Sequence, residues 1–321
     1  MELRLRHTPV LYSHAVRPRR TGHDVVPRGQ GRELPGRAGG GTGTVAGITS
    51  ASPRHRRTAG YHPVMFSLRA RTVVFDIDGT LCFDGRTIDE GILAALGECE
   101  RAGHHLVFAS ARPVRDLLPV LNGAFASATL IGGNGSLVSV GGQVRARAAF
   151  DPAGLRALLE AAGRYEATYL ADGPWDYAYT GPVDHPIRSR VDQGDLARRV
   201  GLTELPEVVK FLVVGASDMT ELAETGRRLG LTVNHHLDEA IIDFAPGSTT
   251  KWEALASMGI REYVAFGNDI NDFDLLRNAE RAVRIGAHPS LDDVAQVTVA
   301  ADPAAVAAEI SLLAQAAGVV V

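Results

Sequence analysis

Five short runs of β-branched and aromatic residues, each ending in a small or polar cluster, constrain this chain more than any other feature. Residues 72–77 run into Asp78-Gly79-Thr80, 105–109 into Ser110-Ala111-Arg112-Pro113, and 129–131 into Gly132-Gly133-Asn134-Gly135. Residues 263–266 run into Gly267-Asn268-Asp269, and 282–285 into Gly286-Ala287-His288-Pro289. Runs that stay apolar, rather than alternating with polar residues, suit strands buried on both faces of a parallel sheet. Helical patterns stand between them at 89–102, closed by Gly103, and at 113–121, 249–258 and 273–278. Strand alternating with helix through right-handed crossovers predicts an α/β fold with a doubly wound, mainly parallel, Rossmann-like sheet. Loops at the carboxyl ends of such strands line one crevice. The polar clusters are therefore expected to converge, although the first and last are far apart in sequence.

Between these halves the texture changes. Residues 151–163 read as a helix, with Leu155, Leu158, Leu159 and Ala162 on one face. Residues 166–171 and 175–179 read as strands around an Asp172-Gly173-Pro174 turn, followed by a strand at 208–214 and a helix at 218–229. A last strand pair is expected at 231–235 and 240–244. This is an α+β unit inserted into the α/β domain. The expected organisation is a core domain in two parts, 65–148 and 246–321, with the insertion at 149–245. The apolar C-terminal stretch is interrupted by Glu309 and Gln315 and reads as a packing helix. Asp302 is its N-cap, Pro303 its first residue and Gly318 its stop.

The first 64 residues hold eleven Arg, no Lys and three acids, a charge of +8, so residues 65–321 carry −4 − 8 = −12. The N-terminal segment is rich in Gly and Pro and has no sustained period, so it is expected to be disordered or a non-native extension, with the fold opening near Met65. A basic tail for phosphates and an organellar transit peptide are the other readings of this segment. The acidic body argues against nucleic acid as the main partner. No uncharged apolar run approaches the roughly 20 residues that span a bilayer. Cys82 and Cys99 are too few for a disulfide framework or a zinc site, which favours a reducing cytoplasm.

Asp76 and Asp78 carry the chemistry. Alternation along a strand puts both on one face at its carboxyl end. Neighbouring carboxylates repel and are costly to bury without a cation, although on its own a D-x-D-G segment also reads as a solvated turn. A hard divalent ion such as Mg²⁺ relieves the repulsion and can hold a phosphate oxygen. One carboxylate can then attack phosphorus while the other moves protons.

Asp76-Ile77-Asp78-Gly79-Thr80-Leu81 resembles the first motif, DxDGT, of the haloacid dehalogenase-like (HAD) phosphatase superfamily. Ser110 resembles its second-motif Ser/Thr, and Lys251, one of only two lysines with Lys210, its third-motif Lys. Gly267-Asn268-Asp269-Ile270-Asn271-Asp272 resembles the fourth, acidic motif, G-D-x-x-N-D. The likeness spans about residues 70–290 with four motifs in order. An insertion between the second and third motifs implies a C2-type cap of the IIB, or Cof-like, branch, and Asn134-Gly135-Ser136 resembles a turn of that branch.

The resemblance implies a Mg²⁺-dependent phosphatase acting on a small phosphorylated metabolite, such as a sugar phosphate, through an aspartyl phosphate. It makes Asp76 the nucleophile and a metal ligand. Asp78 becomes the general acid and base, with its carbonyl on the metal. Ser110 and Lys251 become catalytic phosphoryl-binding groups, with Thr80, Arg112, Asn134 and Asn271 as further substrate-binding candidates. Where the family has its first fourth-motif acid this chain has Asn268, so either Asn268 or Asp269 completes the metal ligands, with Asp272 beside them. A phosphotransferase or mutase using the same intermediate, and a catalytically weak binding protein, are the alternatives. The oligomeric state stays open.

Overall fold

The computed structural model describes residues 71–236, 240–247 and 249–317. The N-terminal 64 residues, Ser248 and the expected helix stop at Gly318 lie outside the described residues. The first part of the chain forms β1 (Thr72–Asp76), α1 (Glu90–Arg101), β2 (His105–Ala109), α2 (Val114–Leu121), β3 (Thr129–Gly132), β4 (Leu137–Val140) and β5 (Gln143–Ala146). Next come α3 (Pro152–Arg164), β6 (Thr168–Asp172), β7 (Tyr177–Tyr179), β8 (Lys210–Gly215), α4 (Met219–Arg228), β9 (Thr232–His236) and β10 (Ile241–Ala245). The chain ends in α5 (Lys251–Ser257), β11 (Tyr263–Gly267), α6 (Phe273–Arg277), β12 (Arg281–Ile285), β13 (Val297–Val299) and α7 (Pro303–Ala317).

Two sheets result. The larger has the order β13-β12-β11-β1-β2-β3-β4-β5 and is parallel from β13 through β3, with β4 and β5 antiparallel. Its central strands, β11, β1, β2 and β3, are apolar on both sides because both sides are covered. Val73, Phe75, Phe108 and Phe266 pack with residues of α1, α2 and α7, while Val74, Val107 and Ala265 pack with residues of α5 and α6. Each fully buried Phe contributes about 2–3 kcal/mol of apolar burial. The α/β, mainly parallel fold is the expected one. The hairpin β4–β5 and the short β13 are additions to the predicted elements. Gly141 and Gly142, both at positive φ, make the two-residue turn that joins β4 to β5.

The inserted sheet, β7-β6-β8-β10-β9, is antiparallel throughout. Helices α3 and α4 cover one face, where Leu158, Leu222, Phe211, Ile242 and Phe244 form a core of their own. The other face looks toward α2 and the loops after β1 and β2. Arg115 of α2 is 1% exposed; its Nη2 donates to Asp172 Oδ1 at the end of β6 (2.5 Å) and its Nη1 to the Trp175 carbonyl (2.9 Å). The Asp192 N–H donates to Asp116 of the same helix, and Lys210 at the start of β8 donates to the Ala111 carbonyl. Among the described residues no helix is long and apolar enough to cross a membrane.

Candidate active site

Asp76 closes β1 and is 4% exposed. The central position of β1, between β11 and β2, brings the ends of both neighbours to it. Lys251, the first residue of α5, is fully buried and donates to Asp76 Oδ1 (2.5 Å) and to Asp272 Oδ1 (2.7 Å). Thr250 caps α5 by accepting from the Glu253 N–H, which fixes where Lys251 leaves the helix. Gly135, at φ +105°, lets the turn after β3 press on that helix start; a Cβ there would lie 2.2 Å from the Thr250 carbonyl oxygen.

Burial is the largest influence on Asp76 and pushes its carboxyl up; Asp272 pushes the same way and Lys251 pulls it back. Burial opposes the charge of Lys251, but Asp272 and Asp76 outweigh it and hold the ammonium well above the usual lysine range. One fixed cation thus serves two buried carboxylates, and Asp76 gains from a second.

The fourth-motif turn supplies the other contacts. With its amide oriented so that both ends are satisfied, Asn268 donates to Asp76 Oδ2 (2.9 Å), to the Asp78 carbonyl (3.0 Å) and to Thr80 Oγ1 (3.1 Å). Gly79, at φ +78°, makes room, since a Cβ there would lie 2.2 Å from that amide. Asp272 is also fully buried; its Oδ2 accepts from the Asn268 and Asp269 N–H groups at 2.9 and 3.2 Å. Asp272 therefore holds the turn and Lys251 together. Asp269 turns the other way. Its carboxylate accepts from its neighbour, the Ile270 N–H, lies 3.4 Å from His288 Nε2 and is half exposed. Of the two candidates at this position, Asn268 reaches Asp76 and Asp269 does not.

Asp78 separates from Asp76. Its carboxylate takes both Nε (2.8 Å) and Nη2 of Arg112, and Arg112 also donates to the Gly85 carbonyl (2.9 Å). Ser110, at the end of β2, is buried; its Oγ accepts from the Arg112 N–H (3.1 Å). Asn134 sits in the left-handed region at φ 55° and accepts from Asn271, which ties the turn after β3 to the fourth-motif turn.

Among the described residues no three His, Cys, Asp or Glu side chains cluster as metal ligands. A mixed set does converge: Asp76 Oδ2, the Asp78 carbonyl oxygen and the Asn268 side chain. With the Asn268 oxygen turned inward, all three are hard oxygen donors, the chemistry Mg²⁺ takes. These residues fit the ion, with one negative charge fewer than a carboxylate at 268 would give.

Between this site and the inserted sheet lies a cavity of 490 Å³, lined by Asp78 and Arg112 from below and by β6, β8 and β10 from above. Several of its residues escaped the sequence reading: Arg115, Asp116, Asp172, Lys210 and Asp243. The signal for Asp243 was a lone charge inside an otherwise apolar strand. Of the inserted-domain residues near the Asp172-Gly173-Pro174 turn, Trp175 donates to the Leu196 carbonyl and Asp176 pairs with Arg198, so both brace their own loop.

Comparison with known proteins identifies the family. The family model described as haloacid dehalogenase-like hydrolase matches residues 73–310. The chain belongs to the haloacid dehalogenase-like hydrolase family. It is 28% identical over 244 residues to the HMP-PP phosphatase of Citrobacter koseri, covering 69% of this chain and 86% of that protein. A haloacid dehalogenase-like hydrolase from Bacteroides thetaiotaomicron superposes with a TM-score of 0.66 at 20% identity, covering 76% of this chain and all of that one. The HAD subclass IIB sugar phosphatase BT4131 superposes with a TM-score of 0.62 at 20% identity, covering 76% and 98%.

Proposed function

We propose that this hydrolase is a Mg²⁺-dependent phosphatase that cleaves a small phosphorylated metabolite through an aspartyl phosphate on Asp76. The observation that carries the reading is the buried Asp76 carboxylate, fixed by Lys251 on one oxygen and by the Asn268 amide on the other. A carboxylate so held is pre-oriented and largely stripped of water, which suits attack on phosphorus. The names of the relatives, an HMP-PP phosphatase and a sugar phosphatase, support a small phosphorylated substrate.

In the first step an Asp76 oxygen bonds to phosphorus, the ester P–O bond breaks, and the leaving oxygen takes a proton from Asp78. In the second step water attacks phosphorus, its proton passes to Asp78, inorganic phosphate leaves and the Asp76 carboxylate is restored. The Asp78 carboxylate is held in the fork of Arg112, and moving a proton to or from the substrate requires its side chain to come away from that fork. Lys251 offsets charge on Asp76 and on the transferring group, and the Ser110 hydroxyl can donate to a phosphoryl oxygen. Asp76, the Asp78 carbonyl and Asn268 would hold Mg²⁺, which supplies positive charge to the phosphoryl oxygens. The inserted sheet acts as a cap that keeps bulk water from the intermediate.

Phosphate release from a panel of phosphorylated metabolites tests this reading. It is expected with Mg²⁺ and to vanish with a chelator, with no transfer to added alcohols. Turnover indifferent to the chelator contradicts the metal, and transfer to alcohols points to a phosphotransferase.

A further inference from the structure

Asp243 lies inside β10, whose other residues are Ile241, Ile242, Phe244 and Ala245, and it is 4% exposed. Ile242 and Phe244 face α3 and α4, so Asp243 and Ile241 face the opposite way, into the cavity that Asp78 and Arg112 also line. Its Oδ2 lies 3.1 Å from Lys210 Nζ, and Lys210 in turn donates to the carbonyl of Ala111, beside Ser110, at 2.8 Å. Its Oδ1 is buried and has no hydrogen-bond partner among the described residues. Leaving a buried acceptor unpaired costs about 1–3 kcal/mol, and buried polar atoms are nearly always satisfied. Leu212, paired with Asp243 across the sheet, and Leu170, Ile187 and Ile241 supply an apolar wall around that oxygen.

The surroundings narrow the ligand. Five carboxylates and five cationic side chains line the cavity, so its charges balance. Lys210 already neutralises Asp243, and a cationic ligand would compete with it. A neutral donor instead gains a charge-assisted hydrogen bond to the free oxygen. The apolar wall suits the face of a ring, and 490 Å³ suits a small molecule.

We propose that Asp243 Oδ1 accepts a hydrogen bond from the substrate's leaving group. The substrate class is then a phosphate ester of an uncharged ring that carries a hydroxyl or amino donor. The inference rests on the phosphatase reading of the site below, and Asp243 selects substrate there without taking part in the chemistry. Asp243→Asn inverts one atom's role. The amide oxygen keeps Lys210, and the NH₂ turns a donor toward the cavity in place of an acceptor.

The experiment compares kcat/KM within two matched series, for the wild type and for Asp243→Asn. One series is glucose 6-phosphate with its singly deoxygenated analogues; the other is an aminobenzyl phosphate with unsubstituted benzyl phosphate. In the wild type, the donor-bearing member of one series is expected to lead its donor-less analogue by about ten- to a hundredfold, the worth of a hydrogen bond to a charged group. In Asp243→Asn that ratio falls to about one. The series that shows the effect identifies the donor as hydroxyl or amino. The same ratio in both enzymes, or no discrimination in the wild type, overturns the proposal. If Asp243→Asn melts before assay temperature, the double variant Lys210→Met with Asp243→Leu replaces the whole pair and should lose the same ratio. Hydrolysis of p-nitrophenyl phosphate by the wild type separates the two levels of inference. If it is absent, the phosphatase reading fails, and dissociation constants of the same pairs, by titration calorimetry, then test Asp243 alone.

Discussion

Of the side chains that hold the Asp76 carboxylate, Lys251 brings charge and Asn268 does not. Lys251 supplies an ammonium shared with Asp272, whereas Asn268 supplies a neutral amide that also binds the Asp78 carbonyl. An amide can serve the two carboxyl-side acceptors with its NH₂, or a cation with its oxygen, by turning over. Asn268→Asp removes that choice. Without metal it sets another carboxylate against Asp76 and loses the donated bonds, at a cost of about 1–3 kcal/mol. With Mg²⁺ it adds a charge to the ligands, and affinity should tighten about tenfold, equivalent to about 1.4 kcal/mol. Thermal melts with and without Mg²⁺, together with titration calorimetry, check this: a lower Tm without the ion, a larger rise with it, and a smaller Kd. Sequence alone left both Asn268 and Asp269 as candidates, because spacing along a turn does not fix which side chain points inward. The contact that turns Asp269 away is local, since its carboxylate accepts from the Ile270 N–H. Asp243 was legible only as a charge in an apolar strand, since the partners that give it meaning come from β8 and from the loop after β2.

Helix α2 is the element that joins the site to the inserted sheet. It begins after the Ser110-Ala111-Arg112-Pro113 loop and buries Arg115 and Asp116 under the inserted domain, with Arg115 stacked 5.0 Å from the Tyr177 ring centroid. Burial pushes the Asp116 carboxyl up to about 6, against the pull of Arg115. Its folded value therefore stands above its unfolded one of 3.8. The stabilising contribution of its proton is complete below about pH 4 and is lost as pH rises through about 6. Asp116→Asn, which keeps an oxygen for the Asp192 N–H, should match the wild type near pH 4. It should gain on the wild type as pH rises, by about 2–3 kcal/mol at pH 7, since each tenfold change in proton affinity on folding is worth about 1.4 kcal/mol. Denaturant unfolding across that range reads the difference; a gap that is constant with pH contradicts the assignment. The helix itself was plain in the sequence at 113–121. Its buried charges were not, because a helical period describes one apolar face and is silent about a second domain landing on the polar one.

At the scale of the whole molecule, the apolar runs were legible because a parallel sheet covered on both faces leaves an uninterrupted signature. The insertion was legible from its change of texture. What escaped were β13, with three residues, and the β4–β5 hairpin, where Gln143 and Arg145 alternate with Val144 and Ala146 on an exposed edge. The sheet topology gathers Asp76, Ser110, Asn134, Lys251 and Asn268 from five separate stretches onto the ends of neighbouring strands and the start of α5. In the proposed mechanism this assembly serves to carry a phosphoryl group on Asp76. Rapid acid quench during turnover of a labelled phosphate ester, followed by peptide mass spectrometry, tests that claim most directly. The predicted result is one phosphoryl group on the Asp76 carboxyl in the wild type, with neither label nor turnover in Asp76→Asn. Phosphate release by Asp76→Asn at the wild-type rate would contradict it.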